Sequence, residues 1–149
     1  MKPDEQGQIS IEFILILGAV LTMAIVAIPM VLKSAEMNRG VTAARDGATK
    51  GAAMRGLGFS ATTDHKTGVV KIINLTSEYN GTSATGLEKY RLRFYVKMSD
   101  GLDKSSVCTS IRQAASSNLN YAFAGKYTTS FAAVDGSYYS FTTACTPVS

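Results

Sequence analysis

From Phe13 to Leu32 the chain runs for twenty residues without a charge, and almost every side chain is apolar. As a helix this stretch is about 30 Å long, close to one hydrocarbon core, so it predicts a single membrane span. Beyond Leu32 the pattern narrows to a stripe at helical spacing: Met37, Val41, Ala44, Ala48 and Ala52. Lys33, Glu36, Arg39, Arg45, Asp46, Lys50 and Arg55 fill the remaining circumference. The helix is therefore expected to continue to about Arg55. Gly40, Gly47 and Gly51 each lower its intrinsic propensity by roughly 1 kcal/mol. Small residues permit close backbone approach, so this half is read as packing on the soluble domain and on other subunits. Pro29 lacks an amide N–H and its ring crowds the carbonyl of Ile25. A kink or a locally melted turn is expected from Val26 to Pro29.

From about Phe59 the period changes to two. In residues 89–97, Tyr90, Leu92, Phe94 and Val96 face one way and Lys89, Arg91, Arg93 and Lys97 the other. That alternation predicts a half-buried antiparallel strand with a solvated basic face. Residues 67–75 form a second β-branched run. Tyr127, Thr129, Phe131 and Ala133 alternate, as do Tyr139, Phe141 and Thr143, with Asp135-Gly136 between. A three-residue loop, Asp135 to Ser137, would set Phe131 opposite Phe141 and keep both apolar rows on one face. Residues 103–118 read equally as a short helix or an irregular loop. The expected fold is α+β, a long N-terminal helix against an antiparallel sheet. With 149 residues there is room for one soluble domain after the span.

The composition is mildly basic, with a net charge of +4, and contains no Trp. The C-terminal half is rich in Ser, Thr, Gly and Ala, which suits an extracellular surface better than a catalytic cleft. The only histidine, His65, lies in a loop beside Asp64. No phosphate loop, carboxylate cluster or metal-ligand spacing is present, so neither an enzyme nor a cofactor is expected.

The most specific motif immediately precedes the span. Gly7 is followed by Gln8-Ile9-Ser10-Ile11-Glu12-Phe13, and Glu12 places a carboxylate at the edge of a membrane-length segment. An ionisable group there is expensive unless it meets a partner. These residues resemble an archaeal prepilin of the type IV pilin superfamily, whose leader ends in Gly and whose mature chain opens Gln-x-Ser-x-Glu-Phe. Gln8, Ser10, Glu12 and Phe13 all match, and the resemblance covers residues 1 to about 58. It implies cleavage between Gly7 and Gln8 by a membrane-embedded prepilin peptidase that leaves the apolar stretch in the product. It also implies that Glu12 pairs with the free α-amino group of a neighbouring subunit. Such a pair sets axial register, because a wrong offset strands two charges. A proline such as Pro29 also occurs in the first helix of type IV pilins, where local melting accompanies assembly. The leader departs from the family pattern: MKPDEQG carries one lysine against Asp4 and Glu5. Lys33, Arg39 and Arg45 beyond the span oppose the usual orientation as well.

The expected organisation is a leader at 1–7, a transmembrane and filament-core helix at 8–32, its amphipathic continuation at 33–58, and an extracellular β-rich head at 59–149. Cys108 and Cys145 fit neither a redox CxxC nor a zinc knuckle, and outside the cytoplasm a disulfide is the natural reading. Two acceptor triplets for N-glycosylation, Asn74-Leu75-Thr76 and Asn80-Gly81-Thr82, fall in what reads as a polar connection between strands. Three functions fit this pattern. One is a structural pilin, lodged in the membrane as a precursor and then built into a homo-oligomeric helical filament on the cell surface. Another is a minor pilin or pseudopilin sharing every N-terminal feature. The third is a membrane-anchored domain binding DNA or anionic surfaces through Lys89, Arg91, Arg93 and Lys97.

Overall fold

The computed structural model describes residues 3–59, 66–126 and 131–148, with residues 3–10 described by their backbone alone. His65, Tyr127 and Thr129 lie outside the described residues. The element order is α1 (Pro3–Gly56), β1 (Val70–Thr82), β2 (Glu88–Met98), α2 (Lys104–Ala124), β3 (Val134–Asp135) and β4 (Tyr139–Val148). The chain divides into two compact units, residues 1–35 and residues 36–149, and α1 contributes to both.

Pro3, with no N–H to leave unsatisfied, opens α1 at the position where proline suits a helix best. The helix stays continuous through Pro29, so no melted turn separates Val26 from Pro29. Its C-terminal end is closed by a glycine. Gly58 adopts φ +85° and donates to Arg55, while the Phe59 N–H reaches the carbonyl of Met54. Only a residue comfortable in the left-handed region makes this double closure cheaply.

In the second unit α1 presents one buried face. Ala44 and Ala48 are fully buried, Ala52 nearly so, and Met37 and Val41 pack at the margin. The glycines in this face are spent inside the unit. A Cβ on Gly47 would lie 2.4 Å from the carbonyl oxygen of Ala114, and one on Gly51 would crowd Ser110 and Ala114. Gly40 lies under the ring of Phe141 in the same way. Gly47 and Gly51 thus make the expected close approach to α2, and Gly40 makes its approach to β4.

Residues 103–118, ambiguous by pattern, begin a full helix that runs to Ala124. Asp103 caps it, accepting from the N–H groups of Ser105 and Ser106 at 3.2 and 2.9 Å. Gly125 ends it with φ +66° and a bond back to Tyr121. Val107, Ile111, Ala115 and Leu119 recur every fourth residue and are fully buried.

The sheet order is β1-β2-β4-β3. β1–β2 and β4–β3 are antiparallel, but β2 and β4 run parallel from Glu88↔Tyr139 to Lys97↔Val148. A parallel neighbour requires a crossover connection, and α2 supplies it. The sheet is therefore mixed within the expected α+β fold. Leu92, Phe94, Val96 and Phe141 point to the helices with no solvent exposure. The expected Phe131–Phe141 pairing is replaced by Val134↔Phe141 and Asp135↔Ser140. Phe131 lies away from the core, with the Arg112 guanidinium 4.9 Å from its ring centre.

Candidate functional site

Two places carry the candidate function: the N-terminal segment and the head that follows it. Gly7 and Gln8 sit within the helical backbone of α1. Glu12 and Phe13 lie on the same helix, both exposed, Phe13 at 64%. No described residue forms an ion pair with Glu12. The large apolar side chains from Ile11 to Leu32 are exposed by 48% to 73%, and α1 holds the one helix among the described residues long and apolar enough to cross a membrane. At about 25 cal/mol per Å² of apolar area, a surface this greasy demands lipid or protein around it. Within the span the polar Thr22 hydroxyl is returned to the helix, donating to the Gly18 carbonyl at 2.7 Å.

The head is tied to its own stretch of α1 by side chains that pattern alone assigned to a solvated face. The Glu36 carboxylate accepts from the backbone N–H groups of Ser137, Tyr138 and Tyr139 at 3.0–3.2 Å. Gly136 lies against that carboxylate so closely that any Cβ would collide with it. Arg39 donates to the carbonyl of Ala122 and stands 5.4 Å from the ring centre of Phe123. Arg55, expected on the outside, is 1% exposed and donates to Ser106 Oγ at 2.8 Å. No local signal marks these roles, since each partner is distant in sequence. Gly136 was the one visible clue, and a turn explained it equally well.

Cys108 on α2 and Cys145 on β4 are joined in a disulfide, their Cα atoms 5.4 Å apart. Between the same two elements the buried hydroxyls of Ser116 and Thr143 lie 2.8 Å apart, and Arg112 Nε donates to the Thr143 carbonyl. Together they fasten the crossover helix to the strand that it delivers.

The outer sheet face is less uniformly basic than its β2 row implied. Arg93 makes a two-pronged contact with Glu78 at 2.9 and 3.0 Å and also reaches Thr146. That hydrogen bond from Arg93 holds the Glu78 carboxyl below the usual range, and Glu78 raises Arg93 in turn. Tyr90, on the other face, stacks edge-on with Tyr79 and Tyr139, and burial pushes its phenol up. Asn74 and Asn80, expected in a connection, are instead on β1, and the connection is only the tight turn at Ser83 to Gly86. β-branched residues and a cross-strand ladder carry β1 through the Ser-Thr-Asn-rich stretch to Thr82.

A groove of about 500 Å³ runs between α1 and β1, lined by Val41, Arg45, Thr49 and residues 70–75. It contains no acid–base pair. Among the described residues no group of three or more His, Cys, Asp or Glu side chains could hold a metal.

Taken together, an exposed apolar helix leading into a helix-backed sheet defines a pilin-like architecture in its general features. Residues 6–30 match the class III signal peptide family model, a match confined to the N-terminal segment. No curated protein and no solved structure matches the chain. Motif and fold together fit a structural subunit that is processed at the membrane, where its apolar helix first resides.

Proposed function

We propose that this chain is a structural pilin of the archaeal type IV-like class, cut between Gly7 and Gln8 and assembled into an extracellular filament through α1. The observation that carries this reading is the exposed carboxylate of Glu12 at the head of an exposed, membrane-length apolar helix. Cleavage before Gln8 creates an α-amino group with a reference pKa near 8, cationic at neutral pH. Glu12 of one subunit pairs with that group on the next, and the pairing fixes the axial offset between helices. The contact is heterologous and does not close, so repetition produces a fibre. Apolar surface that faced lipid comes to face like helices, and it stays out of water throughout.

Mass spectrometry of the mature N-terminus tests the processing step. A chain starting at Gln8 is expected, whereas one starting beyond Leu32 rules the filament out. Glu12→Ala is expected to leave processing intact and abolish filament yield. Normal filaments from that variant would remove Glu12 from the register role. The minor pilin reading shares these features and is separated from the main one by subunit abundance in the fibre. The DNA-binding alternative is not favoured, because Glu78 occupies Arg93 within the basic row.

A further inference from the structure

Both N-glycosylation triplets lie on β1, an outer strand that pairs with β2 along one edge and with no described strand along the other. The asparagines mark the two places where the β1–β2 register slips. Asn74 follows the irregularity at Ile73, and Asn80 lies inside the one between Tyr79 and Thr82. Both asparagines are exposed. The triplets differ in their threonines. A sugar transferase reads the hydroxyl two residues after the asparagine, so that hydroxyl has to be reachable. Thr82 is exposed at the end of β1, just after Gly81 with φ +84°, and its Oγ1 is 3.3 Å from the Tyr79 hydroxyl at the surface. Thr76 sits mid-strand opposite Arg93, and its Oγ1 is buried with no hydrogen-bond partner. In the same triplet Asn74 Oδ1 is engaged by the N–H of Leu75 at 2.8 Å. Presenting Thr76 to an enzyme therefore requires β1 to leave the sheet around the Glu78–Arg93 pair.

We propose that Asn80 is the glycan acceptor of the folded head, whereas Asn74 accepts only while β1 is still outside the sheet. The proposal rests on the reading that the head lies outside the cytoplasm. The donor is a lipid-linked sugar phosphate. Asn80 Nδ2 attacks the anomeric carbon, a C–N bond forms, and the C–O bond to phosphate breaks. The phosphate leaves with the electron pair and the amide nitrogen loses one proton. A sugar on β1 sits on the strand whose second edge meets no described strand, and such an edge otherwise invites strand addition from another chain.

The test uses the full-length protein in detergent with its disulfide intact, an oligosaccharyltransferase and a lipid-linked sugar donor, with glycopeptide masses as readout. The folded protein is expected to gain sugar on Asn80 and none on Asn74. The full chain carrying Phe94→Asp, which puts a charge in the buried sheet, is expected to gain sugar on both. Thr82→Ala should remove the Asn80 signal while the disulfide and the circular dichroism of the head stay unchanged. Sugar on Asn74 of the folded protein, or none on Asn80, overturns the proposal. A mature N-terminus other than Gln8 would count against the filament reading and leave this result as it stands.

Discussion

The two stretches of α1 share a helix and almost nothing else. From Ile11 to Leu32 most side chains are large and apolar, these are exposed, and none of the stretch belongs to the core. From Gly40 to Arg55 the buried face is made of glycine, alanine and one arginine. Apolar content and burial have come apart. In the first stretch hydrophobicity addresses the surroundings of the chain. In the second, small size addresses α2 and the sheet, whose Leu92, Phe94 and Phe141 bring the bulk that α1 lacks.

The largest expected effect separates the two stretches by removing the staple of the head. Cys108→Ala opens a loop of separation 37 and should cost the head about 4 kcal/mol by the loop-closure model. Denaturant unfolding of the detergent-solubilised protein, followed by near-ultraviolet circular dichroism, measures it. The helical signal of the span should survive.

A matched pair of glycines sharpens the contrast. Gly47→Ala raises helix propensity by about 1 kcal/mol, yet the new methyl meets the backbone of Ala114 and Ala115. Overpacking wins, and a net loss of about 2 kcal/mol is expected. Gly18→Ala meets nothing within 4 Å and should leave the unfolding midpoint of the head unchanged. Equal effects from the two substitutions would erase the distinction between the two stretches of α1.

Comparable in effect is Glu36→Ala, which strips the acceptor from the amides of Ser137 to Tyr139. A loss of about 2 kcal/mol is expected, together with faster hydrogen exchange at those amides. The smallest effect concerns the sheet face. Glu78 has a depressed folded pKa, so its contribution is present above the ordinary carboxylate pKa and fades as pH falls through the depressed value. Glu78→Gln should flatten that acid limb in a pH series of unfolding midpoints, and only slightly, because the pair is solvent-screened.

Periodicity made much of this legible. The alternation at 89–97 placed Leu92, Phe94 and Val96 on the buried face, and the alanine stripe gave the packed side of α1. The apolar run and the motif before it pointed to the membrane segment that the class III signal peptide match also covers. What stayed hidden depends on long-range geometry. Nothing local distinguishes a parallel partner for β2 from an antiparallel one. The register places Val134 rather than Phe131 opposite Phe141, and the turn that joins the two strands is held by Glu36, a contact across 101 to 103 residues. Arg55 has the chemistry of a surface residue, and its burial depends on elements distant in sequence, among them Ser106 on α2.

The position of β4 has a consequence for timing. It is the last of the four strands to be synthesised, yet it lies between β2 and β3. Until it arrives, β2 has a neighbour on one side only and Cys108 has no mate. Closure of the head therefore waits for its C-terminal strand. The bond from Cys145 to Cys108 then latches the finished sheet to α2.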